Sequence, residues 1–546
     1  MALDAQRLLS GLLQKNYFPA QRKSFGEIPP IFTTDELTPE IALEINKLPI
    51  RPRGFDCVTY TATKFDLVPR LLSIPHPKSY IDLCFCIHNN WKEIQPITYG
   101  SMSCIKPADH EDGRIIIMDY EDREEKAEWP IENSFGKRFG VKTDISNCFP
   151  SIYSHSIAWA AVGQIEAKKN TKDKTPNDPW YNLWDKFQRL TTRNETKGVP
   201  IGPATSNVAT EFILQKIDQH FEINHWFSDG LMYRRYIDDY ECYADSRERA
   251  EGFIRELRIE LAKYSLTLNA KKTVIYELPD ASDDDWLNQI HISIPTIAND
   301  FVLATRFVNH AVALSKKYPG KSVLKYATKC LLKTPPKNQN ERAKYSKILA
   351  ALINVAFHHP ILIPPLALAF KEENFDLWLT HRIKMLALLK ESALNRRSDG
   401  VAWVLYYCIL FGDEPGQELA NKVIETEDCL SILLLYQLKK YTSLVLDFAN
   451  ALIREFGNQE PHYEIDKYWL LLYQLFLDGE ISNPYPKSDS GHQCFEILKA
   501  QKVSFLRPIN NKNSVANAPS VFEPKDVASE SVDAFTPAES KETAAA

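Results

Sequence analysis

The alternation of apolar and polar positions changes character along the chain. In residues 51–290, short runs with a period of two alternate with stretches whose apolar residues recur every three to four positions. This alternation predicts a mixed α+β domain. Residues 1–50 have a helical pattern interrupted by proline, so we expect a helical lead-in before that domain.

Residues 291–505 consist of helix-length segments rich in leucine and alanine, separated by short loops with proline, glycine or aspartate. They predict an all-α, helical-repeat-like domain. Stacked pairs, as in a HEAT-type solenoid, and an irregular bundle both fit, because no fixed-period repeat is found. Residues 506–546 are polar and rich in Pro, Ser and Ala, which predicts a disordered tail, and the terminal KETAAA resembles a ribonuclease S-peptide tag remnant.

Residues 233–246, YRRYIDDYECYADS, place two adjacent aspartates between aromatic-rich runs that are typical of strands. An antiparallel hairpin would put Asp238 and Asp239 at its tip. Asp245 with Glu248 then predicts a capping box ahead of a helix with one apolar stripe. The acidic pair is therefore expected on a rigid hairpin supported by a helix.

A third acidic residue ends another predicted strand. Val141 and Thr143 alternate with Lys142 up to Asp144, and functional sites on α/β sheets collect at the C-terminal ends of strands. Taken alone, Asp144 also fits a helix-capping or turn aspartate. Together with the acidic hairpin it predicts an all-oxygen site suited to Mg²⁺ rather than zinc.

The segment between these acidic positions is rich in glycine and proline. Gly198, Pro200, Gly202 and Pro203 predict an irregular backbone that another group can approach closely, followed by a helix. A Gly/Pro turn before a helix is a common connection. The segment becomes informative about function only through its position between the acidic motifs in the chain.

That order resembles the palm of reverse transcriptases. A strand ends at Asp144, Gly-x-Pro-x-Gly precedes a helix, Tyr-x-Asp-Asp lies in a hairpin, and SLTLNAKKT follows at 265–273. The resemblance covers roughly residues 50–280 and implies the palm and fingers of a right-hand polymerase.

The resemblance implies a catalytic site with two Mg²⁺ ions, for which Mn²⁺ is the alternative ion. Asp144 and Asp238 would hold the ions, Asp239 would assist, and the carbonyl of Ile145 would be a backbone ligand. The expected activity is RNA-directed DNA polymerisation by two-metal nucleotidyl transfer.

The same resemblance implies roles on the substrate side. Phe149 matches the steric gate that excludes a ribose 2′-hydroxyl, which implies dNTPs as substrates, and Tyr236 would flank the primer terminus. Pro200 and Gly202 would support the incoming nucleotide and the template, and Lys272 matches a lysine near the departing pyrophosphate. Many viral enzymes carry Gln in the Gly/Pro motif where this chain has Ile, so contacts there are expected to differ.

Residues 97–120 predict two strands joined by a polar turn. Reverse transcriptase fingers carry a similar hairpin whose basic residues clasp the triphosphate, which makes Lys106 and Arg114 candidates for nucleotide binding. Solvated hairpin charges are the alternative for both residues.

Segments outside the palm motifs point to a particular group of reverse transcriptases. IPHPKSYIDLCFCIHNNW at 74–91, CFPSIYSHSIAWA after Asp144, and the helical domain together resemble bacterial abortive-infection and unknown-group defence reverse transcriptases. This implies anti-phage defence by DNA synthesis on a non-coding RNA template or on none, with protein priming in some members, and a homo-oligomer, a trimer or hexamer. A retron- or mobile-element-type enzyme on a structured RNA is one alternative, and a scaffold with an inactive palm that binds RNA or a phage protein is another.

Composition limits these possibilities only mildly. With 65 basic and 71 acidic residues the net charge is −6, so any nucleic-acid surface must be local. The ten cysteines lack CxxC pairs and read as free thiols of a reducing compartment. No secretion signal is found and no apolar run approaches about 18 residues, so a cytoplasmic protein without a membrane partner is expected.

Overall fold

A computed structural model describes residues 3–19, 26–65, 68–117, 123–169, 178–224, 230–280, 285–296 and 299–509. The predicted disordered tail lies outside these described residues from residue 510 onward. Within the described ranges the strands are β1 (Cys57–Phe65), β2 (Val68–Pro75), β3 (Phe139–Asp144), β4 (Met232–Tyr236), β5 (Asp239–Ala244) and β6 (Val274–Glu277).

The helices before residue 300 are α1 (Ala5–Gln14), α2 (Pro39–Asn46), α3 (Pro77–Asn89), α4 (Trp91–Ile94), α5 (Arg123–Ser134), α6 (Cys148–Ser151), α7 (Ser156–Val162), α8 (Gln164–Lys169), α9 (Trp180–Leu190), α10 (Ala204–Ile223), α11 (Arg247–Ala262) and α12 (Asp285–Ile292). Residues 301–500, called the helical unit, contain α13 (Phe301–Lys317), α14 (Val323–Leu332), α15 (Gln339–His358), α16 (Phe375–Leu394), α17 (Ser398–Phe411), α18 (Gln417–Glu425), α19 (Cys429–Gln437), α20 (Thr442–Phe456), α21 (Tyr463–Asp466), α22 (Trp469–Leu477) and α23 (Ser490–Ala500).

Strands β3 to β6 form an antiparallel sheet in the order β4-β5-β3-β6. Asp144, the last residue of β3, lies opposite Asp239, the first residue of β5, and Tyr236 of β4 lies opposite the same Asp239. Helices α10 and α11 cover one face of this sheet, and the layer between them is filled by aromatic rings: Phe221, Tyr233 and Phe253. The register therefore brings the separate acidic segments to one end of the sheet.

The helix after the acidic hairpin begins one residue later than predicted. Its N-cap is Ser246, whose hydroxyl accepts a hydrogen bond from the backbone N–H of Arg249. The predicted capping box starting at Asp245 is wrong, because the serine at the next position supplies the capping oxygen instead.

The other sheet is the antiparallel hairpin β1-β2, which buries Val58, Tyr60 and Ala62. The two strands predicted within 97–120 are absent from the part of that segment that the structure describes, residues 97–117. Its backbone forms a single parallel bridge between Ser103 and Arg235 of β4, and a short turn in which Ala108 N–H donates to the carbonyl of Ile115. Proline at position 107 has no N–H to offer a strand ladder, which explains the wrong prediction.

The helical unit packs on the free edge of β1. The N–H groups of Thr61 and Thr63 donate to Ser398 Oγ at 3.0 Å and to Asp399 Oδ2 at 2.7 Å, both at the start of α17. Further along, the buried guanidinium of Arg51 bridges two aspartates of the helical unit, Asp466 at 2.7 Å and Asp489 at 2.8 Å. These contacts join the β1-β2 hairpin, and the segment just before it, to the helical unit.

The lead-in is also held by the far end of the chain. Thr33 N–H donates to the carbonyl of Phe505 at 2.9 Å, and Arg507 N–H donates to the carbonyl of Ile31 at 2.8 Å. Asp35 accepts a further bond from the guanidinium of Arg507 at 3.0 Å. Among the residues described, no helix combines the length and apolar character needed to cross a membrane.

Candidate active site

The turn between β4 and β5 carries two aspartates. Asp238 lies in the turn itself, half-buried, and Asp239 opens β5 with an exposed side chain. The preceding Ile237 has a positive φ of 56°, a conformation that is unusual for a β-branched residue. The two-residue turn between Tyr236 and Asp239 therefore places an isoleucine in a conformation that glycine or asparagine normally adopts.

Asp144 faces this turn from the neighbouring strand and is buried. The N–H of Ile145 donates to the carbonyl of Asp238 at 3.0 Å, and the N–H of Asn269 donates to the carbonyl of Asp144 at 2.8 Å. Backbone hydrogen bonds on both sides thus fix the acidic turn against the end of β3.

Burial and, after it, nearby negative charges raise the pKa values of both aspartates in the turn. Burial, and then the negative charges of Asp239 and Asp144, raise the pKa of Asp238 to about 6. Burial and Asp144 also raise the pKa of Asp239, although the positive charges of Lys272, Lys64 and Lys321 oppose the shift. Without a cation the ionised forms of this site are disfavoured.

Lys272 supplies one positive charge and forms an ion pair with Asp144 Oδ2. Burial pulls the pKa of Lys272 down, but the hydrogen bond to Asp144 and the negative charges of Asp144, Asp239 and Asp238 together raise it above its usual value. The other oxygen of Asp144, Oδ1, is buried and has no hydrogen-bond partner within the described structure. A buried carboxylate oxygen without a donor is suited to a cation.

These residues fit a divalent metal ion, because the donors are all oxygen and repel one another. In the described structure these three carboxylates do not bring one oxygen each within 4.8 Å of one another, so they do not form a closed ligand set around one ion. Among the described residues, the group that meets this distance is His220, Glu256 and Glu260. These three side chains lie on α10 and α11 rather than on the acidic turn. Lys263 Nζ forms an ion pair with Glu260 Oε1 at 2.5 Å, so this carboxylate has a positive partner within the protein.

The predicted substrate-side aromatic residues lie near this end of the sheet. Tyr236, opposite Asp239, is half-buried, and the Arg234 guanidinium carbon lies 5.0 Å from its ring centroid. Phe149 in α6 is 8% exposed, and its carbonyl accepts a hydrogen bond from Val199 N–H at 3.0 Å. Phe149 is therefore tied to the Gly/Pro segment.

The Gly/Pro segment contacts the lead-in and the β1-β2 hairpin. Pro200 is buried, and Gly202 has a φ of +136°, where an added Cβ would lie 2.7 Å from Pro19 Cγ. Ser73 N–H of β2 donates to the carbonyl of Ile201 at 2.8 Å. Glycine at 202 is thus required by its backbone conformation and by the close approach of the lead-in.

Lys106 and Arg114 make only local contacts. Lys106 Nζ donates to the carbonyl of Gly100 at 2.8 Å, and Arg114 Nε donates to Asp112 Oδ2 at 2.7 Å. The structure does not join either residue to the three carboxylates. The basic residues whose charge reaches Asp239 are instead Lys64, on β1, and Lys321, between α13 and α14.

Lys64 and Lys321 are not among the site residues predicted from the sequence. The alternation of Val58, Tyr60 and Ala62 with threonines is the strand signal that could have located Lys64 on a hairpin. No local signal points to Lys321, because its position follows from the packing of the helical unit.

An antiparallel sheet that presents carboxylates from a strand end and from an adjacent hairpin turn is an arrangement that can hold divalent cations. Residues 87–326 match the family model described as reverse transcriptase (RNA-dependent DNA polymerase). This part of the chain therefore matches a reverse transcriptase domain, and the match indicates an RNA-directed DNA polymerase, a nucleotidyltransferase, within residues 87–326. The match includes Asp144, Asp238, Asp239 and Lys272.

No curated protein matches the sequence. The solved structures with weak similarity to this chain include telomerases from Candida. The apo Candida tropicalis enzyme truncated from its C-terminal domain has 10% identity, covers 43% of this chain and 53% of its own, and gives a TM-score of 0.26. The apo C. tropicalis enzyme has 10% identity, coverages of 79% and 74%, and a TM-score of 0.31.

The third telomerase, from Candida albicans in complex with a TWJ fragment of telomeric RNA, has 11% identity, coverages of 78% and 65%, and a TM-score of 0.29. This chain spans about half the length of the first of these enzymes. Overlays with TM-scores this low do not define a shared overall fold.

Proposed function

We propose that the protein synthesises DNA by two-metal nucleotidyl transfer at Asp144, Asp238 and Asp239. The observation that carries the proposal is the pairing of Asp144 with Asp239 across β3 and β5, next to a turn fixed by Ile145 N–H. A buried Asp144 oxygen without a donor supports a cation there.

Bound Mg²⁺, or Mn²⁺ in its place, would activate the primer 3′-hydroxyl and neutralise the triphosphate and pyrophosphate. Asp144 and Asp238 hold the ions in this proposal, with Asp239 and the Ile145 carbonyl as supporting ligands. Lys272 keeps its proton beside Asp144, so it can place positive charge, or a proton, at the departing pyrophosphate.

Other residues select and orient the substrates in this proposal. Phe149, tied to the Gly/Pro segment, selects deoxynucleotides, and Tyr236 contacts the primer end. Pro200 and Gly202 support the nucleotide and the template. The positive charges of Lys64 and Lys321 near Asp239 are better placed for triphosphate binding than Lys106 and Arg114, whose polar contacts are local.

The biological setting is proposed on the sequence resemblance. It comprises anti-phage defence, a non-coding RNA template or none, a protein primer, and a homo-oligomer of three or six subunits. The ten cysteines all lie within the described residues and form no disulfide, and the proposal places the protein in a reducing compartment, the cytoplasm.

The catalytic proposal is tested by measuring dNTP incorporation with the purified protein and with the double variant Asp238→Ala/Asp239→Ala. The control is Glu372→Ala/Glu373→Ala, which removes an adjacent acidic pair from the helical unit. We expect incorporation to be lost only in the first variant, with an unchanged fold by circular dichroism. Normal incorporation by the Asp238/Asp239 variant would show the site assignment to be wrong.

The proposed template, primer and oligomeric state are tested on protein purified from cells. Sequencing of bound nucleic acid and labelling with each dNTP separately would distinguish the templates. A single structured RNA from a retron or mobile element, with DNA copied from it, would refute the defence-type proposal. Covalent labelling of the protein would support protein priming, and light scattering would give the number of subunits.

A further inference from the structure

Arg235 lies completely buried beneath the acidic turn, although it is a charged residue. Its Nη1 and Nη2 donate to the two oxygens of Glu211 at 2.9 and 3.0 Å, and its Nε and Nη2 donate to Asp218 Oδ2 at 3.0 and 2.6 Å. The remaining Nη1 hydrogen donates to the carbonyl of Ile237 at 3.1 Å. All five N–H donors of the guanidinium are therefore used.

The two carboxylates come from one helix. Glu211 and Asp218 are seven residues apart on α10, so they lie two turns apart on the same face. Both are buried, and Asp218 also accepts a hydrogen bond from the hydroxyl of Tyr233 at 2.9 Å. Buried charges of this kind persist only when paired, which makes Arg235 the counterion of both acids.

The Ile237 carbonyl belongs to the strained part of the turn. A β-branched residue with φ of 56° keeps this conformation only when its surroundings hold it. Arg235 holds the carbonyl before Asp238, and Ile145 N–H holds the carbonyl of Asp238 itself. The backbone on both sides of the Asp238 side chain is thus clamped.

We infer that Arg235 is a positioning residue, which locks the turn so that Asp238 is presented to the metal ion, with α10 as the rigid support. The inference rests on the proposed two-metal function of Asp238. Helix α10 also begins at the end of the Gly/Pro segment, so one element supports both the nucleotide side and the acidic side of the site.

Lysine cannot replace this arrangement, because its three donors radiate from one point and cannot span two carboxylates and a carbonyl. An ion cluster with a purely structural role would affect folding stability alone. A positioning role would also lower kcat and raise the Mg²⁺ concentration needed, with little change in KM for dNTPs.

The test uses full-length Arg235→Lys and a charge-free triple variant, Arg235→Met/Glu211→Leu/Asp218→Leu. The triple variant removes all three buried charges, so it folds without the clamp even if the lysine variant does not. We expect kcat to fall about 10-fold to 100-fold in both, since small misplacements of reacting groups carry losses of that size. Wild-type kcat and Mg²⁺ dependence in the folded triple variant would overturn the inference.

The matched control is Arg51→Lys, which changes another buried arginine held between two aspartates but far along the chain from the turn. It is expected to lower the melting temperature and leave kcat unchanged. An equal loss of kcat in this control would overturn the inference.

Hydrogen exchange separates this inference from the proposed function. We expect faster exchange in peptides covering Ile145 and residues 236–240 in both Arg235 variants. If the wild type incorporates no dNTP, the proposed function fails, while unchanged exchange would refute the clamp independently.

Discussion

Replacing Asp238 with asparagine should make the metal-free protein more stable while removing its activity. The ordinary pKa of this carboxyl, 3.8, is raised to about 6 in the folded protein by burial and by Asp239 and Asp144. The folded state therefore binds the proton more tightly than the unfolded state does. Ionised Asp238 destabilises the fold above pH 6, and this penalty disappears as the pH falls through 6 to below 4.

The expected change in the free energy of unfolding follows from the difference between the folded and unfolded pKa of Asp238. A difference of about 2 pKa units corresponds to about 3 kcal/mol, at about 1.4 kcal/mol per unit. Partial access of solvent to the side chain reduces this value, so we expect Asp238→Asn to gain about 1 to 3 kcal/mol at pH 7.5. The gain should be smaller at pH 4.5 and should vanish below about pH 3, where the wild-type carboxyl is protonated in both states.

Urea unfolding in EDTA at pH 7.5 and at pH 4.5 measures the difference. The control is Asp376→Asn, because the hydrogen bond from Arg342 lowers the pKa of Asp376 and gives the opposite sign. That control should be less stable than the wild type at pH 7.5. An Asp238→Asn variant that is less stable than the wild type at pH 7.5, or equally shifted at both pH values, would refute the electrostatic reasoning.

Three further substitutions test individual contacts. Gly202→Ala should lose about 1 to 3 kcal/mol in urea unfolding, because φ is +136° and the new Cβ would meet Pro19. Lys272→Gln should slow single-nucleotide incorporation by about 10²-fold to 10⁴-fold, since it removes the proton held beside Asp144, and Lys271→Gln is its neighbouring control. Phe149→Val should raise the ratio of ribonucleotide to deoxynucleotide incorporation, measured by primer extension with each nucleotide, and an unchanged ratio would contradict the steric-gate assignment.

Local patterns were sufficient to place the acidic residues. Strand alternation up to Asp144 and aromatic runs around Asp238 and Asp239 predicted a strand end and a hairpin turn, and the structure brings these together. The reason is that strand period and turn position are encoded within about ten residues. Whether these carboxylates hold metal stays a prediction.

Features that depend on distant partners were not predicted. Arg235 had no assigned role, because its partners Glu211 and Asp218 lie on a helix earlier in the chain. Charge pairing and burial across elements follow from tertiary packing, which no local window of sequence contains.

The contact between the lead-in and residues 503–507 can form only after nearly all of the described chain has been translated. Asp35 and Arg507 are 472 residues apart in the chain, so the lead-in is translated long before its partner exists. Contacts over such separations form late, after the intervening chain has folded. If translation stopped within the helical unit, the released chain would contain all the strands and carboxylates of the candidate site. Its lead-in would lack the hydrogen bonds that Phe505 and Arg507 provide.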